Sequence, residues 1–339
     1  MSAYYKDESI TLHHGDSLEI LPTLDVTADV LLTDPPYFKV KQDEWDNQWD
    51  KAGEFLGWMG EWLDHTKPLL APHASVWVFA SPAMTTSVER LVAERFKPLN
   101  SVRWVKGEGW HMKASLPGMR RYLTPWEGLI LAEQYPETNV YPDRDQALHR
   151  EVFAPAGDYI RQAREPSGLT QKQLGAKLSG YKNPDSARAN VVNWELGKNL
   201  ISERDYESVR SVLGLGGLPL DYQSVRAEWE KMQAEYDRAR RPFNITDRAM
   251  STDVWAFPGV KPYPGKHPCE KPQTMLTHMI ETSSRPGWTI LDPFAGSGST
   301  LLAARNSGRK AIGIEKDEAW CEKIAQRLSE NTLNLGEAA

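Results

Sequence analysis

Seven short runs of branched and aromatic residues, separated by segments of helical periodicity, constrain the fold of this chain more than any other feature. Several runs are continuously apolar, which is typical of strands covered on both faces of a sheet. Between them, residues 52–67 and 299–307 place apolar side chains at helical spacing. Strands that alternate with helices predict a mostly parallel α/β sheet. The seven predicted strands are residues 10–13, 28–33, 75–80, 102–106, 128–132, 288–292 and 310–314.

Residues 151–250 interrupt this alternation. They carry helical signals only, and they end in a long polar segment, residues 221–241, that we expect to form one exposed helix. We interpret residues 151–250 as an all-helical insertion in the α/β domain. The insertion divides that domain into an N-terminal part, residues 1–150, and a C-terminal part, residues 251–339.

The composition is that of a globular chain with a sizeable core, because 40% of the 339 residues are apolar and 25% are charged. Two cysteines provide neither a disulfide framework nor the pattern of a zinc site. The polar first residues are not followed by the apolar stretch of a signal peptide, and no apolar run is long enough to span a membrane. We therefore expect a cytoplasmic protein.

The distribution of charge leaves a nucleic-acid partner open. The net charge of −6 argues mildly against such a partner, but residues 97–121 carry a local charge of +5 and residues 161–200 one of +4. Separated basic patches can contact phosphates while the remaining surface stays acidic. Charge alone would favour an ordinary solvated surface.

The first motif that points to chemistry is Asp34-Pro35-Pro36-Tyr37, directly after the predicted strand 28–33. The two prolines stop the ladder of the sheet and fix the backbone. An acidic side chain, a rigid carbonyl and an aromatic ring are thereby held at the carboxyl end of a strand, where open α/β sheets bind their ligands. A strand followed by a proline turn would need neither the aspartate nor the tyrosine.

The second motif runs from Asp292 to Thr300 and combines a strand, a glycine turn and the start of a helix. Such a turn lets a ligand approach the backbone closely. The next predicted strand, residues 310–314, is followed by Glu315, which can accept hydrogen bonds from ribose hydroxyls. The motif is not a nicotinamide fingerprint, because Leu301 stands where the third glycine belongs. It is not a P-loop, because no lysine follows Gly298.

The chain resembles the β-class, DPPY-type DNA amino-methyltransferases that depend on S-adenosyl-L-methionine. Four of its segments match motifs of that family, in the order in which the family has them. Residues 34–37 match the catalytic tetrapeptide of that family, and residues 292–300 match its cofactor loop. Residues 267–272, His-Pro-Cys-Glu-Lys-Pro, match the segment that precedes the loop, and residues 15–17 match a cofactor-adjacent acidic segment. The resemblance implies a Rossmann-like methyltransferase sheet. It covers about residues 8–135 and 255–330.

The resemblance implies direct transfer of a methyl group to adenine N6 in double-stranded DNA, on a base rotated out of the duplex. Asp34 and the Pro35 carbonyl would accept hydrogen bonds from the amine, Pro36 would complete the rigid turn, and Tyr37 would stack on the base. No metal and no covalent intermediate are needed. The residues that the resemblance assigns to the cofactor are Asp16, His267, Lys271, Asp292, Pro293, Phe294, Gly296, Gly298, Ser299 and Glu315.

Several alternatives stay open at this stage. Cytosine N4 is the second candidate acceptor, although enzymes with that activity more often have serine in place of Asp34. Cytosine C5 is disfavoured, because that reaction needs a thiolate and Cys269 lies outside a catalytic strand. Asp16 is equally suited to cap a helix that starts at Ser17. A repressor without catalysis, and an RNA or protein amino-methylase, are the rival functional classes. A homodimer, an orphan or restriction-linked enzyme and a prokaryotic or phage source are compatible with the sequence.

Residues 158–214 resemble a lambda-repressor-like helix-turn-helix, whose second helix enters the major groove. The turn is lengthened by residues 181–185, which makes the docking geometry depart from that of the family. The opposing interpretation is a small helical insert without DNA contact. A basic loop at residues 104–122 is a second candidate DNA surface. The residues predicted to contact DNA are Lys106, Arg120, Arg121, Lys172, Arg188, Asn190 and Asn193.

Overall fold

A computed structural model describes residues 2–40, 48–106, 119–120, 122–134, 144–214, 218–245 and 250–336 of the chain. The chain divides into two compact units. The first comprises Met1–Glu137 and Arg241–Ala339, and the second comprises Thr138–Arg240. No helix of the described segments is long and apolar enough to cross a membrane.

The described residues of the first unit form one nine-stranded sheet. Its strand order is β1-β2-β9-β8-β3-β4-β6-β5-β7. The strands are β1 (Tyr5–Lys6), β2 (Ile10–His14), β3 (Ala28–Thr33), β4 (Leu70–Ala80), β5 (Lys97–Val105), β6 (Trp126–Glu133), β7 (Val254–Trp255), β8 (Thr289–Asp292) and β9 (Lys310–Glu315).

Parallel pairing joins the five strands β2, β9, β8, β3 and β4. In this run Leu31 of β3 lies opposite Leu291 of β8, and Asp292 lies opposite Gly313 of β9. The carboxyl ends of β3, β8 and β9 are therefore neighbours at one edge of the sheet. The strand β6 runs antiparallel between β4 and β5.

The prediction of a mostly parallel α/β sheet is confirmed, and all seven predicted strands are present, although β4 and β5 each begin five residues earlier than expected. The count of seven was wrong for the described part of the chain, because β1 and β7 are additional strands. Each of them pairs over two residues only. A pair of residues is too short to show the alternation that identifies a strand.

The described residues form eleven α-helices. They are α1 (Ser17–Ile20), α2 (Ala52–Thr66), α3 (Thr85–Ala93), α4 (Arg144–Arg164), α5 (Gln171–Lys177), α6 (Pro184–Glu195), α7 (Glu203–Leu213), α8 (Tyr222–Ala239), α9 (Gln273–Ser283), α10 (Ser299–Asn306) and α11 (Glu318–Gly336).

Side chains of β3 alternate between two hydrophobic cores, one on each face of the sheet. Leu31 packs in the core that contains Met59 and Trp62 of α2. Val30 and Leu32 pack in the opposite core, which contains buried residues of α9, α10 and α11. Because successive residues of a strand point to opposite faces, a strand covered on both sides must be apolar throughout. This explains why the strands appear in the sequence as continuous apolar runs.

The regular secondary structure in the described residues of the second unit is helical, and the unit has its own hydrophobic core. Its helices α5 and α6 approach closely at Gly175, where an added Cβ would lie 2.9 Å from the Arg188 backbone nitrogen. Thr170 and Gln173 form a capping box that starts α5. At the far end of α6 the buried Glu195 pairs with Arg164 of α4, with Nε and Oε1 2.5 Å apart. The exposed helix expected at residues 221–241 is α8, which has no buried residue.

Candidate functional site

A cavity of about 600 Å³ lies in the first unit at the carboxyl edge of β3, β8 and β9. Both motifs of the sequence line it, together with the segment that precedes α9. The four predicted catalytic residues and nine of the ten predicted cofactor residues are among the lining residues. The lining residues that lie outside the predicted motifs include Trp58, Lys316, Asp317 and Trp320.

The Asp34 carboxylate is bound by two donors. The Tyr37 hydroxyl donates to Oδ1 over 2.8 Å, and the Lys271 ammonium donates to Oδ2. The second carboxylate of this group, Glu127 on β6, has Oε2 3.6 Å from the Lys271 nitrogen and 3.3 Å from the Tyr37 hydroxyl. The other Glu127 oxygen accepts a hydrogen bond from Lys106 at the end of β5. The side chains of four residues therefore form a row of alternating negative and positive charges beside the cavity: Asp34, Lys271, Glu127 and Lys106.

Burial controls the ionisation of these groups. It raises the pKa of Asp34 above its usual range, and Glu127 adds to that rise while Lys271 and Tyr37 oppose it. For Glu127, burial also acts to raise the pKa, but the ammonium groups of Lys271 and Lys106 outweigh burial and lower it. Burial acts to lower the pKa of Lys271, yet Asp34 and Glu127 raise it overall. Lys271 therefore remains an ammonium that two carboxylates share.

The turn between β8 and α10 depends on two glycines in the left-handed region, Gly296 with φ +54° and Gly298 with φ +73°. The Gly296 nitrogen donates to Glu315 Oε2 over 2.7 Å, so the carboxylate at the end of β9 fixes the turn. Gly298 differs from the other predicted cofactor residues because it is absent from the cavity lining. An added Cβ there would lie 2.9 Å from a methyl carbon of Ile324, so Gly298 packs on α11.

The buried carboxylate of Asp292 stands at the centre of the glycine motif. Its Oδ1 accepts hydrogen bonds from the Thr33 hydroxyl over 2.8 Å and from the Phe294 nitrogen over 3.1 Å. Burial, against these hydrogen bonds, raises its pKa to about 6. Within the described residues no lysine, arginine or histidine forms an ion pair with Asp292. A buried carboxylate without a cationic partner at a cavity wall suits the ammonium of an amino-acid ligand.

Aromatic rings line part of the cavity. The Phe294 ring packs against Trp58 and Trp62, each with a centroid distance of 5.3 Å. The His267 ring meets Trp320 edge-on at 4.4 Å, and burial lowers its pKa to about 4, so the imidazole is neutral. Flat apolar surfaces of this kind suit an aromatic ring of a nucleoside.

Asp16 has two contacts that bear on its predicted role. Its side chain caps α1 by accepting from the Leu18 nitrogen, and its Oδ2 lies 2.9 Å from the Lys316 ammonium. It also lines the cavity. The capping role and the position beside the ligand site therefore coexist in one residue. Neither Cys269 nor Cys321 forms a disulfide, and Cys321 lies in the hydrophobic core.

The predicted DNA contacts are dispersed over both units. Lys172 and Arg188 are exposed and Asn193 is half-buried. Asn190 donates to the Tyr181 hydroxyl over 2.9 Å, so its amide supports the lengthened turn. Lys106 is bound to Glu127, Arg120 is exposed, and Arg121 lies outside the described residues.

Sequence reasoning missed Glu127 and Thr33. Thr33 stands within the segment that carries the first motif but was given no role, and no motif contains Glu127. Thr33 carries a weak signal, because it is the last residue of β3 and directly precedes the catalytic tetrapeptide. Glu127 carries no local signal, since the strand pairing that brings it to the site joins residues distant in sequence.

The chain is similar in sequence to known DNA methyltransferases. A family model described as DNA methylase matches residues 28–327. The type II methyltransferase M2.DpnII of Streptococcus pneumoniae is 25% identical over an alignment of 352 residues, gaps included. The alignment covers 98% of this chain and 94% of the relative. The DNA adenine methyltransferase YhdJ of Escherichia coli K12 is 40% identical over 108 residues, which cover 31% of this chain and 37% of the relative.

Solved structures share the fold. The complex of M1.HpyAVI with S-adenosyl-L-methionine superposes with a TM-score of 0.52 at 18% identity, over 94% of this chain and 98% of that one. The cytosine-N4-specific PvuII DNA methyltransferase superposes with a TM-score of 0.53 at 12% identity, over 95% and 87% of the two chains. Because the family model matches well over half of the chain, the protein belongs to the N6/N4 DNA methylase family and is a DNA methyltransferase that uses S-adenosyl-L-methionine.

Proposed function

We propose that this methyltransferase acts on adenine N6 in double-stranded DNA, with Asp34 as the residue that binds the acceptor amine. The observation that carries the proposal is the Asp34 carboxylate at the wall of the cavity, in a rigid Pro-Pro turn beside the cofactor motif. The relative from Escherichia coli bears the name of a DNA adenine methyltransferase, which supports adenine. Cytosine N4 is the second candidate, supported by the fold shared with the PvuII enzyme.

The acceptor amine is a poor nucleophile, because its lone pair is delocalised into the ring of the base. Hydrogen bonds from the amine to the Asp34 carboxylate and the Pro35 carbonyl favour a more pyramidal nitrogen. They also stabilise the positive charge that develops on this nitrogen during attack. After transfer, a carboxylate with a raised pKa is a suitable first acceptor for the proton that the nitrogen releases. Tyr37, whose hydroxyl is fixed by Asp34, would present its ring to the base.

The methyl donor supplies an electrophilic carbon on a sulfonium when it is bound. On the protein side, we assign Asp292 to the donor's ammonium and Glu315 to its ribose hydroxyls. Gly296 allows close approach of the ligand to the turn. Phe294, held by Trp58 and Trp62, closes the wall around the ligand. Placing donor and acceptor in one cavity adds a proximity contribution to the rate.

The helical unit is proposed to read the DNA. The residues that contact the DNA are taken to be within 158–214, the predicted helix-turn-helix, which is part of the helical insertion at residues 151–250. This proposal is supported by the close packing of α5 against α6. Lys172 on α5 and Arg188 on α6 are exposed and are therefore available to DNA. Two features differ from the expected helix-turn-helix, namely the lengthened turn and the hydrogen bond from Asn190 to Tyr181 in that turn. The basic loop at Lys106 is the competing reader. A homodimer and a cytoplasmic setting in a prokaryote or phage stay predictions.

The proposal is tested by mass spectrometry of nucleosides from DNA incubated with the protein and the methyl donor. We expect N6-methyladenine. Detection of N4-methylcytosine instead would refute adenine as the acceptor. The variant Glu235→Ala, which removes an exposed carboxylate of α8 outside the site, should give the same product at the same rate as the parent.

A further inference from the structure

Lys271 is a buried lysine that lies between two carboxylates, those of Asp34 and Glu127. Its ammonium donates to Asp34 Oδ2 and lies 3.6 Å from Glu127 Oε2. The rings of Phe79 and Tyr37 complete the enclosure, with centroids 4.8 and 5.6 Å from the nitrogen. The side chain of Lys271 is only 7% exposed, and that of Glu127 is 12% exposed. The ammonium can therefore change its carboxylate partner without leaving this enclosure.

The structure assigns to Lys271 a change of hydrogen-bonding partner. When the acceptor amine binds Asp34, the Lys271 ammonium moves from Asp34 to Glu127. We call this movement the exchange. Lys271 and Glu127 are both positioning residues in this account, since neither touches the reacting atoms. The inference rests on the proposed function, because it takes Asp34 as the residue that binds the amine.

The exchange follows from competition for one carboxylate. Tyr37 already occupies Asp34 Oδ1, and Lys271 occupies Oδ2. An ammonium kept on Asp34 would repel the positive charge that develops on the acceptor nitrogen and would weaken Asp34 as an acceptor. A buried ammonium cannot simply lose its partner, because an unpaired charge in this environment is strongly unfavourable.

Glu127 is built to receive the ammonium. Its Oε2 faces Lys271 at 3.6 Å, so a movement of less than about 1 Å would bring the two atoms to hydrogen-bond distance. Its Oε1 is held by Lys106, which fixes the carboxylate in this orientation. Lys106 itself is 41% exposed, so this end of the row of charges reaches solvent. The pair Lys106 and Glu127 thus forms a prepared second binding place for Lys271.

The decisive variant is Glu127→Gln, which keeps the shape of the side chain and removes its charge. With no carboxylate to receive it, Lys271 should stay on Asp34. We expect the single-turnover rate of methyl transfer to fall about 10- to 100-fold, the cost of weakening one charge-assisted hydrogen bond. The affinity for S-adenosyl-L-methionine should stay within about twofold, because Glu127 is not among the residues that line the cavity.

The pH profile separates this effect from a structural one. The titratable groups that face Asp34 are Tyr37, Glu127, Lys271 and Asp292. Because the charge of Glu127 raises the pKa of Asp34, Glu127→Gln should move the acid limb of the rate to lower pH. Damage to the fold alone would lower the rate equally at every pH and would contradict the exchange.

The double variant Glu127→Gln with Lys271→Gln provides the second readout. Removing the ammonium that is trapped on Asp34 should restore part of the rate, so the double variant should be faster than Glu127→Gln alone. A double variant no faster than the single one would overturn the exchange, as would Glu127→Gln with a rate within about twofold of the parent.

Glu127→Asp covers the case in which Glu127→Gln fails to fold. It keeps the charge but shortens the side chain, so the rate should lie between those of the parent and Glu127→Gln, with unchanged cofactor affinity. A rate equal to that of the parent would count against the exchange. All rates are measured on total methylated base. Finding N4-methylcytosine would thus refute the adenine assignment and leave the rate comparison intact.

Discussion

Replacing Asp292 by asparagine should stabilise the cofactor-free protein at neutral pH and weaken its binding of the methyl donor. The carboxylate is buried at the cavity wall, and burial raises its pKa from the usual 3.8 to about 6. Asparagine keeps the oxygen that accepts from Thr33 and Phe294 but carries no charge. The variant therefore removes the energetic penalty of a buried charge and, with it, the partner proposed for the donor's ammonium.

The sign and size of the effect follow from proton linkage. The folded protein holds the Asp292 proton more tightly than the unfolded chain does, so this contribution to stability is complete below about pH 4. It is lost as the pH rises through about 6. The interval between the two pKa values corresponds to about 3 kcal/mol in the free energy of unfolding. The asparagine side chain does not titrate, so the variant should gain about this much over the parent above pH 7.

Urea unfolding of both proteins without cofactor, from pH 4 to pH 8, measures this difference. It should be near zero at pH 4 and should grow towards pH 7. The control Asp64→Asn removes an exposed carboxylate that is paired with Arg95 and has a lowered pKa, so its difference should have the opposite sign. A variant that is less stable than the parent by the same amount at every pH would refute the reasoning about Asp292.

Two further predictions concern the turn and the DNA. Gly298→Ala should lower the free energy of unfolding by about 1–3 kcal/mol, because the new Cβ meets Ile324 and φ is +73°. Gly53→Ala, with open space around it, should not, and thermal unfolding compares the two. Lys172→Gln should weaken binding to cognate and scrambled duplexes alike and reduce the salt slope by about 1. Replacing Asn193, if it reads a base edge, should cost about 1–3 kcal/mol on the cognate duplex only; equal losses on both duplexes would contradict that role.

The sheet and the motif-bearing edge were predictable because their signals are local. Central strands such as β3 are buried on both faces and are therefore almost continuously apolar. The turn at Asp34 and the turn at Gly296 each carry their prolines or glycines within a few residues. The short strands β1 and β7 lack such a signal, since a two-residue pairing is decided by its neighbours rather than by its own sequence.

The electrostatic partners in the site were not predictable, because strand pairing and the segment before α9 bring them together. The resemblance assigns Lys271 to the cofactor, whereas the structure places its ammonium on Asp34 and near Glu127. Gly298 shows a related limit. Its lack of a side chain has a packing reason at Ile324, and a glycine in a motif does not reveal which contact requires it.

The most direct test of the central claim separates acceptor binding from donor binding in Asp34→Ala. Calorimetry should give an affinity for S-adenosyl-L-methionine within about twofold of that of the parent, because Asp34 acts on the amine of the base. Single-turnover methyl transfer should fall on the order of 100- to 1000-fold or more, as expected when a preorganised hydrogen-bonding group is removed from a reaction centre. Equal losses of donor affinity and transfer rate would contradict the account, because Asp34 would then serve the cofactor.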